Sequence, residues 1–184
     1  MHRRRLILAF AAAPLAGLAA RALGAAKGDI DVKELQNEWQ ALLPAGAEVP
    51  SPQDRLELSK NDWRKRLEPM QFHVLREEGT EPPGSSPLNG EKRAGVFACA
   101  GCGLPLFTSA MKYDSGTGWP SFFTHIPGML ETKRDWRLIL PRTEYHCARC
   151  GGHQGHVFDD GPPPTGERWC NNGVALRFIP KDKG

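Results

Sequence analysis

Apolar and polar residues alternate with two different periods along this chain, and the period changes near Gly95. In "DIDVKELQNEWQALLP", Val32, Leu35, Trp39 and Leu42 recur at helical spacing, which predicts a helix there. Pro44 to Pro52 reads as a connector. Ser59 and Asp62 in "SKNDWRKRLEP" have the spacing of a capping box, so a second helix starts after Ser59. A third is predicted from Pro69 to Gly79, proline favouring the first turn and glycine the stop. "GTEPPGSSPLNGEKRAG" is rich in Gly, Pro and Ser and reads as a long ordered loop. From Gly95 onward short β-like runs lie between turns: "GVFAC", "WRLILP", "RTEYHC", "GHVF" and "GVALRFIP". These runs predict small antiparallel sheets with a helical N-terminal portion packed against them.

The first residues follow neither period. "MHRRRLILAF AAAPLAGLAA RALGAAKG" sets Arg3, Arg4 and Arg5 before an apolar run from Leu6 to about Ala20, followed by small residues. That pattern predicts a cleaved export signal over residues 1–26, and the adjacent arginines suggest the twin-arginine route to the periplasm. A transmembrane anchor is the alternative, but the run is short beside the ~20 residues of a span. Residues 27–57 then form an extension and linker, and residues 58–180 the main domain.

Removing residues 1–26 changes the charge. They hold four arginines and no acid, so 20 basic residues face 21 acidic ones and the formal charge falls from +3 to −1. A basic nucleic-acid footprint is therefore absent, and no membrane contact is expected once the signal is gone.

Five cysteines carry the candidate chemistry. Cys99 and Cys102 lie in "CAGCG", and Cys147 and Cys150 in "CARCGG"; each pair is C-x-x-C followed by glycine. Two such knuckles suit a closed tetrahedral Cys₄ site for one structural Zn²⁺, the glycines turning backbone amides toward the sulfurs. Two short disulfides are one rival reading, though such small loops restrain a chain little. A redox motif in one pair is another, less compatible with two matched knuckles.

Cys170, in "GERWCNNG", is left without a partner, and a lone cysteine is more often an inert buried residue than a nucleophile. A reactive thiol needs a proton acceptor or a cation nearby, and His153 and His156 in "GGHQGHVFDD" supply candidates. Trp119 sits on the Gly/Pro-braced loop "DSGTGWPSFF", suited to walling an apolar pocket.

"HVLREEGTEPP", "CAGCGLPLF", "DSGTGWPSF" and "RTEYHCARCGGHQGHVFDDGPPPTGERWCNNGVALRFIP" together resemble the B-class peptide methionine sulfoxide reductases, over about residues 58–180. The resemblance implies a mainly β fold, a small β-tent of two antiparallel sheets with peripheral helices. It implies reduction of methionine-(R)-sulfoxide in oxidised proteins. Cys170 takes the place of the nucleophile, with His153, His156, Asp160 and Asn172 in the catalytic surroundings. Trp119, Phe122 and Phe158 take the substrate side, and Cys99, Cys102, Cys147 and Cys150 the zinc. Many relatives carry a resolving cysteine before the tryptophan. Here that position is Thr117, so recycling is expected from an external thiol such as thioredoxin or a thioredoxin-like donor, acting on a monomer. Two further departures, Trp169 before the nucleophile and Gly84 at a position often aromatic, are expected to touch the pocket rim. A non-catalytic zinc-binding module of the same fold is the alternative function, and it would have no use for Cys170, His153 and Trp119 together.

Overall fold

The computed structural model describes residues 30–136 and 141–181. The expected signal over residues 1–26 lies outside them, as does most of the run "WRLILP". Among the described residues no helix is long and apolar enough to cross a membrane.

The N-terminal helices form where their caps are encoded. Helix α1, Val32–Asn37, is capped by the Asp31 carboxylate, which accepts from the amides of Lys33 and Glu34. The periodic run then tightens into a 3-10 turn, Trp39–Leu42, so the expected single helix is two short pieces. Helix α2, Lys60–Arg66, begins at Ser59, whose hydroxyl accepts from Asp62 N. Helix α3, Pro69–Glu77, ends at Glu78 in the left-handed conformation, one residue before Gly79. Gln36 Nε2 donates to Thr124 Oγ1 at 2.8 Å and to the His125 carbonyl, tying the extension to the β domain.

Among the described residues nine strands follow: β1 Gly95–Cys99, β2 Pro105–Thr108, β3 Lys112–Tyr113, β4 Ser121–Phe122, β5 Leu130–Asp135, β6 Arg142–Cys147, β7 His153–Phe158, β8 Arg168–Asn171 and β9 Leu176–Pro180. They make two antiparallel sheets, a small one in the order β2-β1-β9 and a large one in the order β3-β4-β8-β7-β6-β5. "GVFAC" is buried at every position, as the central strand of the small sheet between β2 and β9. "GVALRFIP" begins with a 3-10 turn, Gly173–Ala175, and only then extends as β9. Strand β5 is mostly exposed and polar, an edge strand that periodicity does not announce.

Aromatic rings join the two sheets. Phe107 on β2 stacks on Phe122 on β4 with centroids 4.0 Å apart, and Phe97 on β1 meets Phe122 edge-on at 5.1 Å. Tyr145 and Trp169 extend this core, with centroids 4.9 Å apart. Such pairs contribute about 0.5–1.5 kcal/mol beyond the area they bury. Phe122, expected beside the substrate, is fully buried here because its face of β4 packs on Phe97 and Phe107 of the small sheet, opposite the face that Ser121 shares with Cys170. Trp169 is likewise inside, one residue from Cys170 and therefore on the opposite face of β8.

Candidate active site

The register of the large sheet assembles the site. Lys133, Glu144, His156, Cys170, Ser121 and Tyr113 lie in one row across six strands, each paired with the next. Directly paired residues in an antiparallel sheet share a face, with Cβ atoms about 4.5–5.5 Å apart. His156 is thus the immediate neighbour of Cys170 on one side and Ser121 on the other.

A bulge brings in the second histidine. Tyr145 pairs with Gly155 but His146 pairs with His153, so Gln154 is one residue too many on β7. The extra residue restores His153 to the face of His156, despite their odd separation, and the rings pack edge-to-face at 5.4 Å. Gln154 itself points the other way. Its amide donates to Cys99 Sγ at 3.4 Å and accepts from Asn171 Nδ2 at 3.2 Å, linking the paired cysteines to the Cys170 strand.

Cys170 and His156 open into a cavity of about 130 Å³, together with Thr80, Trp119, Arg142, Phe158 and Asn172. That is well below the ~300–1,000 Å³ of a small-molecule pocket, and it admits one side chain. Trp119 is held by its indole N–H, which donates to the Glu81 carbonyl at 3.2 Å. Phe158 carries the Arg168 guanidinium over its ring at 4.2 Å.

The electrostatics push the Cys170 thiol and the His156 imidazole in opposite directions. Burial pushes the Cys170 thiol above its ordinary value of 9.0, while the Arg168 guanidinium and hydrogen bonds from Thr117 and Arg168 pull it back. Asp160 does not line the cavity. Its exposed carboxylate holds Arg168 through two bonds of 2.7 and 2.9 Å and raises the guanidinium pKa, while its own charge adds a smaller upward push on the Cys170 thiol. Burial lowers His156 below its ordinary 6.5, against the Asp135 carboxylate that meets its Nε2 at 2.8 Å. His153 is enclosed, outside the cavity lining, with Nδ1 2.8 Å from Glu144 Oε1. For Glu144, burial opposes ionisation, but His153 and Lys133 outweigh it and keep the carboxyl below its usual range.

Asn172 is a brace. Its side chain accepts from Glu81 N at 3.0 Å and donates to the Gln154 carbonyl at 3.0 Å. Glu81, Asp135, Arg142 and Glu144 were not found from the sequence as site residues. The only available signal for Glu81 was its place in "HVLREEGTEPP". Trp169, buried in the core, is absent from the cavity lining, and so is Gly84. Gly84 instead donates its amide to the Gly118 carbonyl at 2.7 Å beside Trp119.

At the other end of β7 the four paired cysteines converge. Their sulfurs all lie within 4.8 Å of one another, with Cys99–Cys150 at 3.7 Å and Cys102–Cys147 at 3.5 Å. A tetrahedron with ~2.3 Å Zn–S bonds has edges of about 3.8 Å, whereas a disulfide needs about 2.05 Å. The four are positioned to bind a metal ion, and all five cysteines are free thiols. Gly103 and Gly151 take left-handed φ values of 80° and 65°; their own amides donate to the Cys99 and Cys147 carbonyls, and the Leu104 amide just beyond Gly103 meets the Cys102 sulfur. Arg66 and Arg76 cap the carbonyls of Gly101 and Cys150, which is how α2 and α3 fasten to the knuckles.

Residues 67–180 match the SelR domain. The chain is 48% identical over 133 residues to the peptide methionine sulfoxide reductase MsrB of Methanosarcina barkeri, covering 72% of this chain and 94% of that protein. It is 51% identical over 127 residues to MsrB of Leifsonia xyli, covering 68% and 91%. Peptide methionine sulfoxide reductase B1, chloroplastic, of Arabidopsis thaliana is 39% identical over 169 residues, covering 91% and 84%. With the matched domain spanning both sheets, the cysteine cluster and the Cys170 cavity, the chain belongs to the SelR family of B-class peptide methionine sulfoxide reductases.

Proposed function

We propose that this enzyme reduces methionine-(R)-sulfoxide in oxidised proteins to methionine, with Cys170 as nucleophile. The observation that carries the reading is the direct pairing of His156 with Cys170 at the floor of a one-side-chain cavity walled by Trp119 and Phe158. A sulfoxide offers an electrophilic sulfur and a basic oxygen, and this cavity offers a thiol and an imidazole side by side.

The Cys170 thiolate attacks the sulfoxide sulfur while His156 delivers a proton to the oxygen, and the Trp119 ring holds the methyl group. The protonated oxygen then passes from the substrate sulfur to Cys170 as the new S–S bond and the substrate S–O bond break, which leaves a sulfenic acid on Cys170 and releases methionine. The substrate gains the two electrons that Cys170 loses, and the thiol's proton ends on the transferred oxygen. His153, bound to Glu144, orients its neighbour His156 from behind. An external dithiol, thioredoxin or a thioredoxin-like donor, then attacks the Cys170 sulfur and water leaves. Its second thiol releases Cys170, so the dithiol becomes a disulfide. The sequence holds five cysteines, four of them in the cluster, which leaves no internal thiol for this step.

A zinc ion held by Cys99, Cys102, Cys147 and Cys150 would be saturated by four thiolates, joining the two knuckles without entering the reaction. Residues 1–26 would direct a monomeric enzyme to the periplasm, where it repairs oxidised proteins; N-terminal sequencing of the exported protein, expected to start near Lys27, tests the export.

The decisive assay compares peptides carrying separate R and S sulfoxides, with dithiothreitol as reductant, beside Cys170→Ser. Turnover of the R epimer that vanishes in the variant is expected. Turnover of S alone, or an unaffected variant, would refute the proposal.

A further inference from the structure

The segment joining α3 to β1 crosses beside the cavity, and one buried carboxylate holds both sides of the crossing. Glu81 is 2% exposed. Its Oε1 accepts from Gly173 N, and its Oε2 accepts from Val174 N at 2.9 Å. These two amides open the 3-10 turn that begins three residues after Cys170, where a carboxylate is favoured by the unsatisfied N–H groups. The backbone of the same residue holds two more partners. Its N–H donates to Asn172 Oδ1 at 3.0 Å, and its carbonyl receives the Trp119 indole N–H at 3.2 Å.

The packing around these bonds leaves little slack. A Cβ on Gly118 would come within 2.8 Å of Pro83 Cβ, and one on Gly173 within 2.1 Å of Ser86 Oγ. Gly118 and the segment also share the bond from Gly84 N to the Gly118 carbonyl at 2.7 Å. Trp119 reaches the strand bearing Cys170 through Ser121, but its ring is fixed by Glu81.

We infer that Glu81 is a positioning residue that sets the separation between the Trp119 ring and the Cys170 sulfur, clasping the substrate wall to the nucleophile strand. The inference rests on the sulfoxide reductase reading above. The carboxylate matters because it accepts from two convergent amides at once. A carboxamide at the same place accepts one and presents an N–H₂ to the other, so the segment shifts and carries the indole with it. A reacting pair displaced by about 1 Å can lose ~10²-fold in rate.

The test is a double-mutant cycle of Glu81→Gln and Trp119→Phe, measured on the R-sulfoxide peptide with dithiothreitol. Iodoacetamide alkylation of Cys170 and zinc content are followed in parallel. Trp119→Phe keeps an apolar ring but removes the N–H that meets the Glu81 carbonyl. Each single change is expected to lower kcat/KM by about 10- to 100-fold, mostly through kcat. The double variant should be no worse than the poorer single, because the two act through one contact. Alkylation of Cys170 should stay within about twofold, since a small reagent does not need the tryptophan.

Losses that multiply in the double variant would overturn the inference. So would a fall in alkylation parallel to the fall in turnover, which marks general damage to the site. Should Glu81→Gln fail to fold, Glu81→Asp, which keeps the charge and withdraws it by one methylene, enters the cycle with the same expectations. An inactive wild-type protein would defeat the reductase reading itself, a result distinct from any pattern among the variants.

Discussion

His156 and Cys170 are driven apart in pKa by the same cause, and this shapes the pH dependence of the proposed reaction. Burial lowers His156 below 6.5 and raises Cys170 above 9.0. Attack needs the thiolate and protonation needs the imidazolium, so the productive form carries both charges at once. Between these values the thiolate fraction rises tenfold per pH unit while the imidazolium fraction falls tenfold. Their product is constant. The ordinary values are already 2.5 units apart, so fewer than about one molecule in 300 is productive at neutral pH. The profile of kcat/KM, which reports the free enzyme, should therefore rise up to the lowered pKa of His156, stay flat through the whole interval up to the raised pKa of Cys170, and fall only beyond it. Replacing His156 by Gln removes the falling factor. The variant should lose ~10²–10⁴-fold in kcat/KM at pH 7, the usual range for a general acid. Its profile should then climb tenfold per unit through the interval where the wild type is level. Initial rates on an R-sulfoxide peptide from pH 5.5 to 9.5, with reductant saturating, measure both curves. A wild-type profile that climbs steadily from pH 6.5 to 9, or a level profile in His156→Gln, would refute the reasoning.

Two further outcomes follow from the surrounding groups. Arg168→Met removes the cation and donor that oppose the effect of burial on Cys170. A charge-assisted hydrogen bond is worth about 1.5–3 kcal/mol, so without it the thiol moves further up and its alkylation by iodoacetamide at pH 7 should slow about 10- to 100-fold; a change under twofold would show that Arg168 does not tune the thiol. Replacing Cys99 by Ser, or stripping metal with a chelator, should release zinc and abolish cooperative unfolding. Structural zinc contributes ~10–16 kcal/mol in small domains, and the knuckles anchor α2 and α3 to the sheets; a metal-free protein with unchanged Tm would exclude the structural role.

Much of this architecture is encoded locally. Ser59 and Pro69 start their helices because capping and proline geometry involve residues only a few positions apart. "GVFAC" and "RTEYHC" form strands at the expected places. The two C-x-x-C-G motifs each make their own turn, and four cysteines in matched pairs left Cys170 identifiable by subtraction. The polar edge strand β5 and the short β8 escaped because neither has a period of its own; each is held by its neighbours' hydrogen bonds.

The site itself was decided by contacts that sequence spacing does not measure. His156 meets Cys170 through the register of β7 and β8, and His153 joins it only because Gln154 bulges out. Glu81 reaches Asn172, Gly173 and Val174 across about 90 residues of chain. Residue types and the family resemblance together pointed to Cys170, the four paired cysteines and Trp119, and the fold sets Cys170 and Trp119 on one cavity and the four cysteines in one cluster. The same reading placed Phe122 at the substrate, when its strand turns it into the core, and Asp160 at the reaction centre, when it holds Arg168. Caps, turns and knuckles are short-range and readable along the chain. Which face of a strand a side chain takes, and which distant group it meets there, depends on pairing register and bulges, and only the folded sheet sets those.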